Sequence, residues 1–194
     1  MRFEKTLRKY EFGMKELVSK LEIINEDYQD KNSYKLMEHI QSRLKADDSI
    51  KAKLINDGYT YEEKNLDKIN DIAGVRVVVA FEEDVYTVRD LILEKLPDVK
   101  LIKEKDYIKN PKDSGYVSYH LILSVPVTLV TGVEYVTVEL QIRTLIMDAW
   151  ASIEHKLVYK KKDTFGKIFK NYAAQMILLD NCFTELKEAQ KKLK

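Results

Sequence analysis

Residues 135–143, YVTVELQIR, alternate apolar and polar side chains without a break. A two-residue period is that of a strand with a core on one side and a different environment on the other. It sets Val136, Val138, Leu140 and Ile142 on one face and Thr137, Glu139, Gln141 and Arg143 on the opposite one. The apolar face must be core. The polar face either meets water, as in most half-buried sheets, or lines a site. Residues 73–81, AGVRVVVAF, add a valine-rich run typical of a buried strand. Residues 99–104 and 118–125 alternate or run apolar and read as two more strands.

Helical patterns fill the spaces between these strands. Phe3, Leu7, Tyr10, Met14, Leu17, Leu21, Ile24 and Tyr28 step by four and three, giving one apolar seam on an N-terminal helix. Packing on its own domain is the first expectation for that seam, and an intersubunit contact the second. Ser33 is expected to cap a second helix running to about Leu44, and Asp47 or Asp48 a third ending near Gly58. A helix over about 83–96 ends before Pro97, another spans about 144–159, and the last runs from Gly166 to about Lys192. Phe169, Tyr172, Met176, Leu179, Phe183 and Leu186 form its apolar stripe. The pattern predicts an α+β fold, a mixed sheet flanked by helices. Residues 1–30 form an N-terminal helix, 31–162 carry the sheet, and 163–194 add a C-terminal helix that packs on the domain or on a neighbouring subunit.

The totals exclude several classes. At 45% hydrophobic and 34% charged residues, the 194-residue chain is globular and well solvated rather than disordered. A net charge of +1 leaves no global basic field, so any polyanion must be met by a local cluster. Cys182 stands alone, which excludes an internal disulfide and fits a reducing compartment. Neither a membrane-length apolar run nor a signal-peptide pattern is seen, so the expected location is the cytoplasm.

Three clusters carry candidate chemistry. Arg76 is the only charge between Asp71 and Glu82, and its valine neighbours mark it as buried. A guanidinium there needs a carboxylate, such as Asp71 or Glu139, or an anionic ligand. Asp71, just before that strand, is either a turn residue or a place for Mg²⁺, which takes few protein carboxylates and keeps waters and phosphate oxygens. Arg43, Lys45, Ser49 and Lys53 gather around an expected helix start, where free N–H groups and the dipole favour phosphate; a solvated charged face is the alternative. The stretch 105–120, KDYIKNPKDSGYVSYH, mixes lysines, tyrosines and a histidine in a loop that feeds a strand. That mix suits a nucleotide, with lysine for phosphate and an aromatic face for the base, although a surface loop has the same composition.

Four stretches together resemble the small alarmone synthetases, the stand-alone (p)ppGpp synthetases of the RelA/SpoT family. They are HIQSRLKADDSI at 39–50, INDIAGVRVVVAF at 69–81, KDYIKNPKDSGYVSYHLI at 105–122 and VELQIRTLIMDAWASIEHKLVYK at 138–160. They occur in the family's order and spacing. The resemblance implies a nucleotidyltransferase-like sheet, with residues 31–162 as the synthetase domain. It also implies a reaction in which the 3′-hydroxyl of GDP or GTP attacks the β-phosphorus of ATP and AMP leaves. Arg43 and Arg76 would then sandwich adenine, with Lys45, Ser49 and Lys53 near the ATP phosphates. Asp71 and Glu139 would hold Mg²⁺, and Glu139 would accept the hydroxyl proton. Tyr116 would stack on guanine, Lys105, Lys112 and His120 would line the guanine-nucleotide side, and Gln141 would support the site. Ser114 stands where long family members usually carry Asn, and a hydroxyl reads a guanine edge less fully than an amide. The hydrolase domain of the long members has no counterpart here, so synthesis without hydrolysis is expected. The family analogy also implies a homo-oligomer, in particular a tetramer. A regulatory nucleotide or RNA remains open as a further partner. The competing readings are an RNA-binding module, against which the near-neutral charge weighs, and a silent nucleotide-binding scaffold, against which the joint presence of Asp71, Glu139, Arg43 and Tyr116 weighs.

Overall fold

The alternating stretch lies at the centre of the sheet. In the computed structural model, which describes residues 3–112, 115–157 and 166–192, it is part of β5 (Gly132–Thr144). The valine-rich run is β2 (Ala73–Val79) and pairs parallel to β5. β4 (Tyr119–Leu129) lies antiparallel on the other side of β5 and is joined to it by a hairpin; β3 (Lys100–Asp106) continues antiparallel beyond β4. β1 (His39–Leu44) closes the opposite edge, antiparallel to β2. The five-stranded order is β1-β2-β5-β4-β3.

One face of this sheet is core. Val136, Val138, Leu140 and Ile142 are each at most 3% exposed. They share a single cluster with Val75, Val77 and Val79 of β2 and Leu121, Leu123 and Val125 of β4. Helix α1 (Glu4–Asn32) covers them with Leu7, Tyr10, Met14, Leu17 and Leu21, so its apolar seam is used within its own chain. Gly13 lets the helix come close, because a Cβ there would stand 3.0 Å from Val136 Cβ. Helix α3 (Glu82–Lys95) adds Val85, Val88 and Ile92. Leu17 is fully buried, and its truncation to alanine should cost about 2–5 kcal/mol.

Two expectations from the sequence fail here. Residues 39–44 are the edge strand β1, not helix, and Ser33 ends α1 in the left-handed conformation (φ 50°) instead of starting a new helix. β1 is mostly exposed and rich in residues that favour helices, so its ladder with β2 decides its state. The third helix is α2 (Asp47–Asn56); its N-cap is Ala46, and Asp47 and Asp48 lie in its first turn. A short 3₁₀ helix (Glu63–Lys68) follows it.

Helix α4 (Leu145–Leu157) continues directly from β5, and α5 (Gly166–Lys192) packs against α3 and α4. The helix expected to pack on the domain or on a neighbouring subunit lies on its own domain, with its apolar stripe turned out. Tyr172, Leu179, Phe183 and Leu186 are 36–65% exposed, while Ala173 and Asp180 are the buried positions. Phe169 lies among side chains outside the described set, as do Ser114 and the end of the helix expected to reach 159. Among the described residues, no helix is long and apolar enough to cross a membrane.

Candidate active site

Strand pairing places the polar faces in register across the whole sheet. Gln41, Arg76, Gln141, His120 and Lys105 are direct neighbours from β1 to β3. The adjacent row runs Arg43, Gly74, Glu139, Ile122 and Lys103. A bulge between Leu101 and Lys103 inserts one extra residue in β3, which lets Lys103 and Lys105 join this face. Arg43, Asp71, Arg76, Glu139 and Gln141 line an open cleft of about 200 Å³ over β1, β2 and β5.

At one end of the cleft, Asp71 sits just before β2. Lys45 Nζ, from the turn after β1, donates to its Oδ2 at 2.8 Å, and Lys53 Nζ, on α2, donates to its Oδ1 at 2.8 Å. Burial alone would push the Asp71 carboxyl up, but the two lysines together outweigh it and hold the group below its usual range. Ser49 is exposed, and its backbone N–H turns back to Ala46 O. The start of α2 already carries two acidic side chains, so Lys53 rather than free helix N–H groups is what this helix brings to the cleft.

Glu139 lies mid-cleft on β5. His120 Nδ1 is 3.3 Å from its Oε1, and Gln141 Nε2 donates to its Oε2 at 2.9 Å. Burial raises the carboxyl, the bond and charge of His120 and the Gln141 bond lower it, and the outcome is a group held ionised below its usual range. The other ring nitrogen of His120, Nε2, is hydrogen-bonded to the Tyr116 hydroxyl, 2.9 Å away. Arg143 Nη2 in turn donates to that hydroxyl at 2.7 Å and to Gln141 Oε1 at 2.9 Å.

The loop ahead of β4 surrounds this network with aromatic faces. Tyr107, Tyr116 and His120 meet edge to face, and Lys112 Nζ stands 4.7 Å from the Tyr107 centroid and 4.8 Å from that of Tyr116. Lys105 Nζ lies farther out, 6.0 Å from the Tyr107 ring. Gly115 is required: its φ is +81°, and a Cβ there would come within 2.4 Å of Ala173 on α5. Helix α5 therefore sets the height of the loop that presents Tyr116.

Arg76 and Arg143 converge on a carboxylate that the sequence did not single out. Asp148, in the first turns of α4, lies 3.1 Å from Arg76 Nη1 and 3.0 Å from Arg143 Nη1. The ion-pair partner expected for Arg76 was Asp71 or Glu139. Both are taken by other groups, and α4 supplies the charge. Arg76 Nε is buried without a hydrogen-bond partner among the described residues. The argument that picked out Arg76, a charge set among apolar neighbours, applies equally to Asp148 between Met147 and Ala149.

The donor set suits an open metal site. Among the described residues no three His, Cys, Asp or Glu side chains converge into a closed cage. Asp71 and Glu139 line one cleft and sense each other's charge. Two carboxylates with room for waters and phosphate oxygens is the pattern Mg²⁺ prefers. An ion at Asp71 would displace at least one of its two ammonium groups.

A sequence profile of the region found in RelA/SpoT proteins matches residues 42–164. The chain belongs to the RelA/SpoT family. Within it, the chain is 42% identical over 159 residues to the GTP pyrophosphokinase YwaC of Bacillus subtilis, covering 81% of this chain and 75% of that one. The small alarmone synthetase 1 of B. subtilis, solved bound to its product pppGpp, superposes with a TM-score of 0.90 at 30% identity over 98% of each chain. The same synthetase bound to AMPCPP gives 0.82 at 28% identity, again over 98% of each. The mixed sheet with flanking helices is thus the small alarmone synthetase fold.

Proposed function

We propose that the protein is a GTP pyrophosphokinase that transfers the β,γ-diphosphate of ATP to the 3′-hydroxyl of GDP or GTP, releasing AMP and forming ppGpp or pppGpp. The single observation that supports it most is the placement of Glu139, ionised and central, between a lysine-clamped Asp71 and an aromatic loop on the other side. The 3′-oxygen forms a bond to the β-phosphorus, the bond from that phosphorus to the α,β-bridging oxygen breaks, and AMP takes the leaving electron pair. Glu139 receives the hydroxyl proton. His120 and Gln141 aim its carboxylate by holding one oxygen each.

Arg43 and Arg76 flank the adenine on the β1–β2 side. Lys45 and Lys53 meet the ATP phosphates once these compete with Asp71, and Ser49 lies at the margin of that group. Asp71 and Glu139 would hold Mg²⁺, which supplies charge neutralisation on the transferring phosphates. On the other side Tyr116 offers its face to guanine, and Lys105, Lys112 and His120 bind the acceptor's phosphates. Because the chemistry is mostly positioning and neutralisation, a cleft with lysines and arginines set around two carboxylates fits it.

Incubation with ATP, Mg²⁺ and GDP or GTP should give a tetraphosphate or pentaphosphate and equimolar AMP on nucleotide separation. Release of ADP, or no product with either acceptor, would overturn the assignment.

The protein is read as cytoplasmic and self-associating, with a tetramer as the expected assembly. Its support is the outward stripe of α5, where Tyr172, Leu178 and Leu186 are 55–65% exposed, together with Leu157 of α4 at 59%. Light scattering at micromolar concentration that returned the 22.7 kDa monomer mass would defeat it.

A further inference from the structure

Asp148 Oδ1 serves two guanidinium groups at once, Arg76 Nη1 at 3.1 Å and Arg143 Nη1 at 3.0 Å. The two arginines look in different directions. Arg76 lines the cleft on the β2 side. Arg143 is 4% exposed and spends its other N–H groups on Ser118 Oγ at 3.3 Å, Gln141 Oε1 at 2.9 Å and the Tyr116 hydroxyl at 2.7 Å. The cluster holds two positive charges against one negative, so each arginine competes with the other for the same oxygen. A ligand that draws Arg76 into the cleft leaves Asp148 to Arg143 alone. Asp148 then fixes the Arg143 guanidinium in one position, and a fixed Arg143 holds the Tyr116 hydroxyl in place.

We propose that Asp148 is a positioning residue that couples the two nucleotide subsites, so that ATP on the Arg76 side raises affinity for the guanine nucleotide on the Tyr116 side. The proposal rests on the assignment above of Arg76 to ATP and Tyr116 to the acceptor. By linkage, the guanine nucleotide must raise ATP affinity by the same factor. Asp148 itself touches neither nucleotide, so its removal should alter the coupling more than the chemistry.

The test is calorimetric titration of GDP into the full chain, with and without a saturating non-hydrolysable ATP analogue. The unaltered protein should bind GDP about 5- to 50-fold more tightly when the analogue is present. Asp148→Asn keeps the size and an acceptor oxygen but loses the charge, and should bring that ratio close to one. Tyr116→Phe keeps the ring but removes the hydroxyl that Arg143 holds, and should do the same. In the double variant the two effects should not add, because they cut one chain of contacts. Full coupling retained in a folded Asp148→Asn protein overturns the proposal, and so does an unaltered protein that binds both nucleotides independently. Should Asp148→Asn fail to fold, full coupling in Tyr116→Phe overturns it equally. Protein that binds and turns over both nucleotides with unchanged coupling loses only this role of Asp148, whereas protein that binds neither loses the functional reading with it.

Discussion

On the β1–β2 side of the cleft Asp71 is held by two ammonium groups, each at 2.8 Å, whereas on the β4–β5 side Glu139 is held by an imidazole and an amide. The first set is made of point charges on flexible stems, and Lys53 is 39% exposed. Such groups can leave a carboxylate for a phosphate without disturbing the sheet. The second set is fixed. His120 and Arg143 are 7% and 4% exposed and lie within a continuous chain of hydrogen bonds that also takes in Tyr116 and Gln141. The contrast assigns different work to the two halves. One is built to exchange partners with the proposed substrate phosphates and metal, and the other is a template kept at one geometry.

Glu139 sits where the halves meet, and its charge should carry the largest effect. Glu139→Gln keeps the size and can still bond to Gln141, but loses both the proton acceptor and half of the proposed metal site. Turnover should fall at least about 10²–10⁴-fold, with a melting temperature close to that of the parent. A folded variant retaining more than about a tenth of the activity would remove Glu139 from the chemistry.

Asp71→Asn tests the exchange of partners directly. It should weaken Mg²⁺ binding by about 10–100-fold or more and lower turnover accordingly. In the absence of Mg²⁺, however, ATP should bind as well as before or better, since Lys45 and Lys53 no longer have a carboxylate to leave. A drop in metal-free ATP affinity, measured by calorimetry, would mean that the lysines are structural partners of Asp71 and do not pass to phosphate.

Tyr116→Ala probes the template side. Stacking on one aromatic face is worth about 1–3 kcal/mol, so guanine-nucleotide affinity should fall roughly ten- to a hundredfold, while the ATP analogue binds near normally. Equal losses for both nucleotides would erase the division between the halves.

How much of this was legible in the sequence follows the same division. The central strands were, because β5 and β2 are buried on their apolar sides and period and composition report burial. The edge strand β1 was not. Its residues are mostly exposed, and pairing with β2, a long-range contact, makes it a strand. Glu139 and Gln141 share one sheet face as the alternation predicts, and the β-ladder sets Arg76 and His120 beside them, which no local pattern encodes. Asp148 was hidden because its role depends on where α4 leaves β5, which no periodicity encodes. The stripe on α5 was legible as apolar, but the sequence left open whether it packs on the domain or on another subunit; burial within the chain falls on Ala173 and Asp180 instead.

The smallest effect concerns α5, which backs only the template side through the contact of Gly115 with Ala173. Asp180 is 4% exposed; its Oδ2 accepts from Thr144 Oγ1 at 2.7 Å, and its Oδ1 has no partner among the described residues. Burial, with the charge of Glu82 adding to it, pushes its carboxyl up to about 6 even though the Thr144 bond works the other way. A folded value above the unfolded one means that the folded chain binds the proton more tightly. This contribution is therefore fully present below about pH 4 and is lost as pH rises through about 6. At pH 7.5 the ionised group should cost about 1–3 kcal/mol. Asp180→Asn removes that charge, keeps an oxygen for Thr144 and turns an N–H towards the side of Glu82. Its melting temperature at pH 7.5 should rise by roughly 2–8 °C, and the gain should shrink at pH 5, where the parent carboxyl is largely protonated. A variant that melts lower at both pH values would show that Asp180 works as an ionised acceptor for Thr144. A gain of the same size at both would trace the stabilisation to packing and leave the proton out of it.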